Sequence, residues 1–275
     1  MRTHPIAVVK GAGDLGTGAA YRLWRAGFHV LCTDLPQPLA IRRSVAIASA
    51  LYDARMTIDG AMVERIMYVD EAVYSWQRNS IPIVADAAAR SVQVMRPEVV
   101  VDAVMAKQNT GTTIGDAPAV IALGPGFTAG SDCHAVIETM RGHNLGRVIY
   151  SGSAASDTGM PGDIGGADAL RIVRAPCAGT MYGRKAIGDI VQAGDIIAQV
   201  GATVVTAPLG GVLRGLLHDG VRATENMKIG DIDPRAEVSD CYSISDKSLA
   251  IGGGVLEAVF ALRERWLPAM HTEEE

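Results

Sequence analysis

The sequence predicts an α/β protein in which a Rossmann-like parallel sheet is followed by a small β domain. An apolar run at residues 6–9 leads through a glycine-rich loop into helical spacing at 15–26, and short apolar runs then alternate with helical segments as far as about residue 150. Beyond about Arg174 the helical periodicity fades, and glycines, turns and short β-branched runs replace it. Strands that alternate with helices favour a doubly wound, mostly parallel sheet.

The composition limits the classes of protein to which this chain can belong. With 275 residues it is long enough for two domains, and a hydrophobic content of 48% allows a sizeable core. The net charge of -5 and an aromatic content of 5% argue against a nucleic-acid surface. No apolar run reaches the roughly 20 residues that span a bilayer, and the N-terminus has no signal-peptide pattern. We expect a cytoplasmic protein with no nucleic-acid or membrane partner, and the four widely spaced cysteines predict no metal site.

We expect three segments along the chain. Residues 1–173 form a Rossmann-like nucleotide-binding domain, and residues 174–240 form the β domain. Residues 241–275 carry a helix near 255–266 that packs back on the first domain. The predicted strands of the first domain lie near 6–9, 29–33, 81–84, 99–104, 119–123 and 148–150.

The clearest motif is the first glycine loop, residues 11–16, which reads Gly-Ala-Gly-Asp-Leu-Gly between the first strand and the first helix. Gly11 allows a tight turn, Gly13 lets a phosphate approach the backbone, and Gly16 lets the helix lie close to the strand. The unpaired N–H groups at the helix N-terminus then attract a pyrophosphate. The sequence therefore predicts cofactor contacts from Gly11, Gly13, Asp14, Leu15 and Gly16.

Acidic and basic residues after the second strand bear on the kind of nucleotide. Asp34 closes that strand, where a carboxylate hydrogen-bonds a ribose hydroxyl. Arg42 and Arg43 follow, and paired arginines suit an additional phosphate because each guanidinium makes bidentate contacts. NAD-like and NADP-like ligands therefore both stay open at this stage.

A second glycine loop follows the predicted strand at 119–123. It contains Gly124, Gly126 and Gly130, and Ser131 or Asp132 then suits the N-cap of another helix. A helix N-terminus here would form a second anion site on the same edge of the sheet as the first. The sequence thus predicts a cofactor held by two glycine loops.

Other polar side chains lie near this edge in the sequence. Lys107 and Asn109 follow an earlier strand, where Lys107 would neutralise a phosphate or act as an acid and Asn109 would orient a ligand. Cys133 and His134 open the helix expected after the second loop, and Glu138 shares a face with His134 at the i, i+4 spacing. The candidate catalytic residues are therefore Lys107, Cys133 and His134. A buried cysteine beside an ordinary helical ion-pair face is the alternative for the last two.

An internal repeat marks the β domain. The segment 175–179, Ala-Pro-Cys-Ala-Gly, recurs at 207–211 as Ala-Pro-Leu-Gly-Gly, an offset of 32 residues. Two similar β units often form one pseudo-symmetric barrel, and the pattern resembles the biotinyl/lipoyl type of barrel-sandwich domain. The hairpin region at 201–205 has no lysine that could be modified. We therefore expect a docking module rather than a swinging-arm carrier.

Several longer stretches together carry a family resemblance. They are residues 34–36, 40–43, 123–127, 134–139, 141–148, 228–235, 245–247 and 252–257. Over nearly the full length they resemble the YqeB family, a group of accessory proteins named for selenium-dependent molybdenum hydroxylase systems. More distantly, the first domain is similar in kind to the Rossmann domain of XdhC-type maturation factors, which are associated with inserting a sulfurated molybdenum cofactor into hydroxylases.

The resemblance implies a maturation factor of a molybdenum hydroxylase system. In this hypothesis the two glycine loops bind a nucleotide-type ligand, either NAD(P) or a molybdopterin dinucleotide, and the β domain docks a molybdoenzyme client. The alternative is an NAD(P)-dependent oxidoreductase, with His134 or Lys107 as the proton donor near the nicotinamide. Whether the protein is an enzyme, and whether it forms a homo-oligomer, stay open at this stage.

Overall fold

The computed structural model describes residues 4–156, 171–235 and 237–267. The strands of the first sheet are β1 (Ile6–Lys10), β2 (His29–Asp34), β3 (Arg55–Ile58), β4 (Ala61–Arg65), β5 (Ile81–Ala85), β6 (Val99–Asp102), β7 (Ala119–Leu123), β8 (Ala135–Ile137) and β9 (Val148–Ile149). The α-helices of the described residues are α1 (Asp14–Arg25), α2 (Ala50–Asp53), α3 (Ala72–Gln77), α4 (Ser91–Met95) and α5 (Asp246–Ala261). The strand order across this sheet is β3-β4-β5-β2-β1-β6-β7-β8-β9.

The first sheet is parallel in its interior and antiparallel at both edges. β1 pairs in parallel with β2 and β6, and parallel pairing continues outward to β4 on one side and β8 on the other. β1 and β7 are buried at every residue, as expected for strands covered on both faces. β3 and β9 run antiparallel to their neighbours. A tight turn at Asp59 and Gly60, where φ is 46° and 82°, makes β3 and β4 a hairpin.

The prediction of a Rossmann-like parallel sheet is therefore wrong, because the sheet is mixed and has nine strands. The helix predicted from Ser131 is also wrong, since this part of the chain forms β8. His134 N donates to the carbonyl of Val120 at 2.8 Å, and Gly124 N donates to that of Ile137 at 2.9 Å. These bonds add the segment to β7 as a strand.

Helices α1 and α5 pack with their backbones in contact. A Cβ atom on Gly18 would lie 2.2 Å from the carbonyl oxygen of Ser248, and one on Gly252 would lie 2.3 Å from that of Gly18. α5 begins after the N-cap Ser245, whose Oγ accepts from Ser248 N at 3.1 Å. The helix therefore starts well before the predicted 255–266 and includes three consecutive glycines.

The second half of the chain forms two four-stranded antiparallel sheets. Their strands are β10 (Ile172–Arg174), β11 (Gly179–Gly183), β12 (Ile190–Val191), β13 (Ile196–Val200), β14 (Thr203–Thr206), β15 (Gly211–Leu216), β16 (Arg222–Ala223) and β17 (Lys228–Asp233). The strand orders are β10-β17-β15-β12 and β14-β13-β11-β16. The predicted biotinyl/lipoyl-like barrel-sandwich domain is corrected to these two sheets. β12 and β16, the last strands in these two orders, have only two residues each. Their short pairing does not join the two sheets into one closed sheet.

The 32-residue repeat is visible in the strand pairing. Thr180 of β11 pairs with Arg222 of β16, and Ile190 of β12 pairs with Val212 of β15. Each residue of the second pair is 32 positions away from one of the first pair. Each repeat therefore contributes a two-residue strand to the sheet of the other, which ties the two sheets together.

The two halves of the chain meet through the segment that follows β2. Leu216 N donates to the carbonyl of Ile41 at 2.9 Å, and the rings of Tyr52 and His218 stack with their centroids 3.8 Å apart. A Cβ on Gly215 would lie 2.9 Å from the carbonyl oxygen of Ile41, so the backbones are in close contact. This contact holds the small sheets beside the carboxyl edge of the first sheet.

Candidate functional site

A large cavity lies between the two halves, at the carboxyl edge of the first sheet. Its volume is about 1230 Å³. One wall consists of loops after β1, β2, β5, β6, β7 and β8, and the other consists of residues on β10, β15 and β17 with the start of α5. Parallel strands place ligand sites at this edge, and ligand pockets have volumes of roughly 300–1,000 Å³. The cavity is thus large enough for a metabolite-sized molecule.

The cavity is strongly basic although the whole chain has a net charge of -5. Among the described residues, nine of the chain's 25 lysines and arginines line it, but only four of its 30 acidic residues do. The basic residues are Lys10, Arg42, Lys107, Arg141, Arg171, Arg174, Arg214, Lys228 and Lys247. The acidic residues are Asp14, Asp34, Asp86 and Asp231. Four of the five lysines of the sequence therefore line one cavity, and the fifth, Lys185, is exposed elsewhere.

The first glycine loop lies at this cavity. Gly11 has a φ of 83°, and a Cβ there would lie 2.7 Å from backbone atoms of Ala103. A Cβ on Gly16 would lie 1.9 Å from the carbonyl oxygen of Gly11, so neither glycine can carry a side chain. Gly13, the N-cap of α1, differs, since no described atom beyond its chain neighbours lies within 4 Å of its ideal Cβ and no described side chain caps the helix. The predicted contacts that line the cavity are Gly11, Gly13, Asp14 and Leu15, with Gly16 packed behind them.

Asp34, at the end of β2, stabilises this loop through hydrogen bonds. Its Oδ2 accepts from Ala12 N at 2.8 Å, and its Oδ1 accepts from Leu35 N at 2.7 Å. Burial raises the pKa of the Asp34 carboxyl, although the two N–H donors act against the shift. Asp34 lines the cavity, but both of its oxygens already have backbone partners, so it holds the loop in place.

Arg42 joins the two halves at the rim of the cavity. Its Nη1 donates to both carboxylate oxygens of Asp14, at 3.2 and 3.1 Å. Its Nη2 donates to the carbonyls of Asp240 and Ser243, at 3.1 and 3.2 Å. Arg43 does not line the cavity. The structure therefore separates the two arginines that the sequence suggested as a phosphate-binding pair.

Asn109 shapes the loop after β6. Its Oδ1 accepts from the N–H groups of Gly111 and Thr112, and its Nδ2 donates to the carbonyl of Thr112, all at 2.8 Å. Asn109 itself does not line the cavity, whereas Lys107 of the same loop does. The amide thus supports the loop that carries Lys107.

A buried charged group that the sequence analysis missed lies beside this loop. Lys10 and Asp102 end the neighbouring strands β1 and β6 and pair in register. Lys10 Nζ lies 3.4 Å from Asp102 Oδ2 and donates to Thr112 Oγ1. Thr112 Oγ1 in turn donates to Asp102 Oδ2 at 2.5 Å. The sequence signal for this buried pair was that a charged residue ends each of two apolar strands.

The second glycine loop does not lead into a helix, because β8 follows it. A Cβ on Gly126 would lie 2.7 Å from Gln108 N, and one on Gly124 would lie 2.6 Å from Thr139 Oγ1. These glycines allow neighbouring loops to pack closely. The prediction of a helix N-terminus that binds an anion here is therefore wrong. Pro125 of this loop lines the cavity, whereas the predicted contacts Gly124, Gly126 and Gly130 do not.

Cys133 and His134 lie at the opposite edge of the sheet, where β8 begins. Cys133 is fully buried, and burial raises the pKa of its thiol to about 12, which disfavours the reactive thiolate. His134 Nδ1 accepts from Val120 N at 3.0 Å, and burial, followed by the charge of Arg265, lowers its pKa. Neither side chain lines the cavity. Glu138 accepts from two backbone N–H groups and shares no helix face with His134.

The remaining basic residues of the cavity lie in segments for which the sequence analysis predicted no ligand contact. Arg171 Nη2 donates to both carboxylate oxygens of Asp231, at 3.2 and 2.9 Å. Lys228 Nζ lies 3.4 Å from the same carboxylate. Arg141 makes two hydrogen bonds to Asp246, at 2.8 and 3.1 Å. Only the packing of the two halves brings these residues together, so no local sequence signal could have found them.

Within residues 4–156, 171–235 and 237–267, no three His, Cys, Asp or Glu side chains are grouped so as to hold a metal ion. In the same ranges no helix combines the length and the apolar character needed to cross a membrane.

Comparison with solved structures gives only weak likenesses, and no family model matches the chain. It is similar to an aspartoacylase family protein of Mesorhizobium loti, with 11% identity, a TM-score of 0.28, and coverage of 85% of this chain and 87% of that chain. It is also similar to a succinylglutamate desuccinylase/aspartoacylase of Rhodobacter sphaeroides, with 14% identity, a TM-score of 0.26, and coverage of 83% and 85%. Likenesses of this size do not assign a hydrolase activity to this chain.

The function predicted from the sequence needs correction. The second glycine loop lacks the helix that the two-loop nucleotide site required. Both predicted functions, the molybdenum hydroxylase maturation factor and the NAD(P)-dependent oxidoreductase, relied on that two-loop site, so neither stands as predicted.

A curated relative matches the chain much more closely. Over 266 residues the chain is 49% identical to the uncharacterized protein YqeB of Escherichia coli K12. The match covers 97% of this chain and 49% of the relative, so the chain spans about half the length of that protein. The chain is therefore a homologue of YqeB, which confirms the family resemblance predicted from its sequence.

Proposed function

We propose that this chain binds a small molecule with several negative charges in the cavity between its two halves. The observation that carries the proposal is the concentration of nine basic residues, among them four of the five lysines, around one cavity of a chain with a net charge of -5. A cleft lined by charge of one sign, with walls of low dielectric constant, concentrates ligands of the opposite charge. Nine cations against four carboxylates leave an excess of five positive charges.

The carboxylates in the cavity wall position the cations. Asp231 contacts both Arg171 and Lys228, and Asp14 contacts Arg42. A guanidinium that is already held in place loses less conformational entropy when a ligand binds. Arginine also makes paired hydrogen bonds to phosphate and carboxylate groups, which favours ligands that carry these groups.

The ligand contacts both halves of the chain in this proposal. Lys107 and Arg141 lie on loops of the first sheet, whereas Arg174 and Lys228 lie on strands of the small sheets. A molecule with anionic groups at both ends satisfies both walls. NAD(P) and a molybdopterin dinucleotide, the cofactors predicted from the sequence, stay predictions, as do the client protein and the homo-oligomer.

Thermal unfolding in the presence of anions tests the proposal. The probes are pyrophosphate, citrate, ADP and NADP, with an uncharged sugar as the control. A ligand at about 100 times its Kd adds roughly 2.7 kcal/mol to the free energy of unfolding. We expect pyrophosphate to raise the Tm, and we expect the effect to shrink as salt screens the charges.

Two lysine variants provide the matched control. Lys107→Met and Lys185→Met each remove one positive charge, but only Lys107 lines the cavity. We expect Lys107→Met to weaken pyrophosphate binding by about tenfold, which is about 1.4 kcal/mol, and Lys185→Met to bind as the wild type does. If no polyanion raises the Tm, or if both variants lose affinity equally, the proposal is wrong.

A further inference from the structure

Lys247 differs from the paired lysines of the cavity. Lys10 and Lys228 each lie 3.4 Å from a carboxylate oxygen. Within the described residues, Lys247 Nζ makes no hydrogen bond and no ion pair, although the side chain lines the cavity. Its amine is therefore available to a ligand.

The start of α5 fixes the position of Lys247. Asp246, the residue before it, pairs with Arg141 at 2.8 Å. Ser248, the residue after it, donates from Oγ to Asp14 Oδ1 at 2.8 Å. Since both neighbours are anchored, the lysine side chain has a defined origin at the cavity wall.

The surroundings of Lys247 lower the pKa of its amine below the ordinary value for lysine. Burial has the largest effect, and the positive charges of Arg141 and Lys107 act in the same direction. Asp14 and Asp246 act in the opposite direction, but each of these carboxylates is itself paired with an arginine. A desolvated lysine beside other cations is the usual form of a nucleophilic lysine.

We propose that Lys247 forms an imine with a carbonyl group of the ligand, so that the ligand is an aldehyde or ketone that also carries phosphate or carboxylate groups. This proposal rests on the anion-binding function proposed above. The Nζ lone pair attacks the carbonyl carbon, the C=O π pair moves to oxygen, and that oxygen gains one proton as the nitrogen loses one. The resulting carbinolamine releases its hydroxyl group and the second nitrogen proton as water, and a C=N bond replaces the C=O bond. The step needs no oxidant or reductant.

Reductive trapping with pyridoxal 5′-phosphate tests the imine, because this probe carries both an aldehyde and a phosphate. The whole chain is incubated with the probe at neutral pH, reduced with sodium borohydride and digested, and mass spectrometry locates the modified lysines. We expect Lys247 to be labelled about tenfold or more faster than the exposed Lys185, because the phosphate holds the aldehyde at the cavity. We also expect pyrophosphate to block the labelling of Lys247.

Lys247→Arg cannot form the imine, so we expect this variant to lose the label at position 247 while Lys185 is labelled at the wild-type rate. Binding of pyrophosphate by the unchanged chain tests the anion-binding function separately. The imine proposal is wrong if Lys247 and Lys185 are labelled equally, or if Lys10, Lys107 or Lys228 is labelled preferentially. In that case, binding of pyrophosphate still supports the proposed function. If Lys247 is labelled but the protein does not bind pyrophosphate, and pyrophosphate does not slow the labelling, the proposed function is wrong instead.

Discussion

Two adjacent glycines of α5 lead to opposite predictions about stability. A Cβ on Gly252 would lie 2.3 Å from the carbonyl oxygen of Gly18 and 2.7 Å from its carbonyl carbon. Apart from its chain neighbours and the nearby backbone of α5 itself, no described atom lies within 4 Å of an ideal Cβ on Gly253. Alanine substitution therefore adds the same methyl group once against the backbone of α1 and once into open space.

The expected magnitudes follow from these distances. Gly253→Ala should stabilise the protein by roughly 0.8–1.0 kcal/mol, the difference in helix propensity between glycine and alanine. Gly252→Ala gains the same propensity, but real Cβ contacts below 3.0 Å essentially do not occur, so α1 and α5 must move apart. Overpacking costs about 1–3 kcal/mol and occasionally more, and here the obstacle is rigid backbone. We therefore expect Gly252→Ala to cause a net loss of about 2 kcal/mol.

Equilibrium unfolding in urea measures both effects. The midpoint should rise for Gly253→Ala and fall for Gly252→Ala, with unchanged m-values, because neither change alters the surface exposed on unfolding. If both variants stabilise the protein, or if both destabilise it equally, the close contact between the backbones of α1 and α5 does not determine the stability of the variants.

Two further predictions concern buried charge and thiol reactivity. Asp231→Asn should lower the free energy of unfolding by about 3–5 kcal/mol, because it leaves the buried Arg171 without its carboxylate. The exposed control Glu225→Gln should stay within about 0.5 kcal/mol of the wild type in the same urea titration, and an equal effect of the two would refute the role of the ion pair. In native alkylation with iodoacetamide, Cys177 should react and Cys133 should not, because burial raises the pKa of the Cys133 thiol to about 12. Mass spectrometry showing equal rates at the two cysteines would contradict that burial.

The strands in the interior of the first sheet could be predicted because they are buried on both faces. The strands expected at 6–9 and 119–123 correspond to β1 and β7, which are buried at every residue. A continuous apolar run of this length, bounded by glycine loops, indicates a central parallel strand. The first helix could also be predicted, because the glycine loop before it and the amphipathic spacing within it are both local features.

The segment after Ser131 could not be assigned from local signals. Ser131 and Asp132 are good N-cap residues, and His134 and Glu138 have helical spacing. β8 instead forms because it pairs with the open edge of β7 along three residues, which is a tertiary contact. Gly252 of α5 shows the opposite case, because helix propensity disfavours glycine while the contact of this residue with α1 requires it.

The charge of the cavity could not be predicted because its residues come from distant parts of the chain. Lys10 closes the first strand and Lys247 begins the last α-helix of the described residues, while Arg171 and Lys228 belong to the small sheets. The net charge of -5 gave no indication of a basic site, since composition averages over the whole surface. Like charges around one cavity repel each other, so this arrangement costs the fold stability unless an anion balances it. Because that cost falls when a polyanion binds, the same excess of positive charge that defines the site also couples ligand binding to stability.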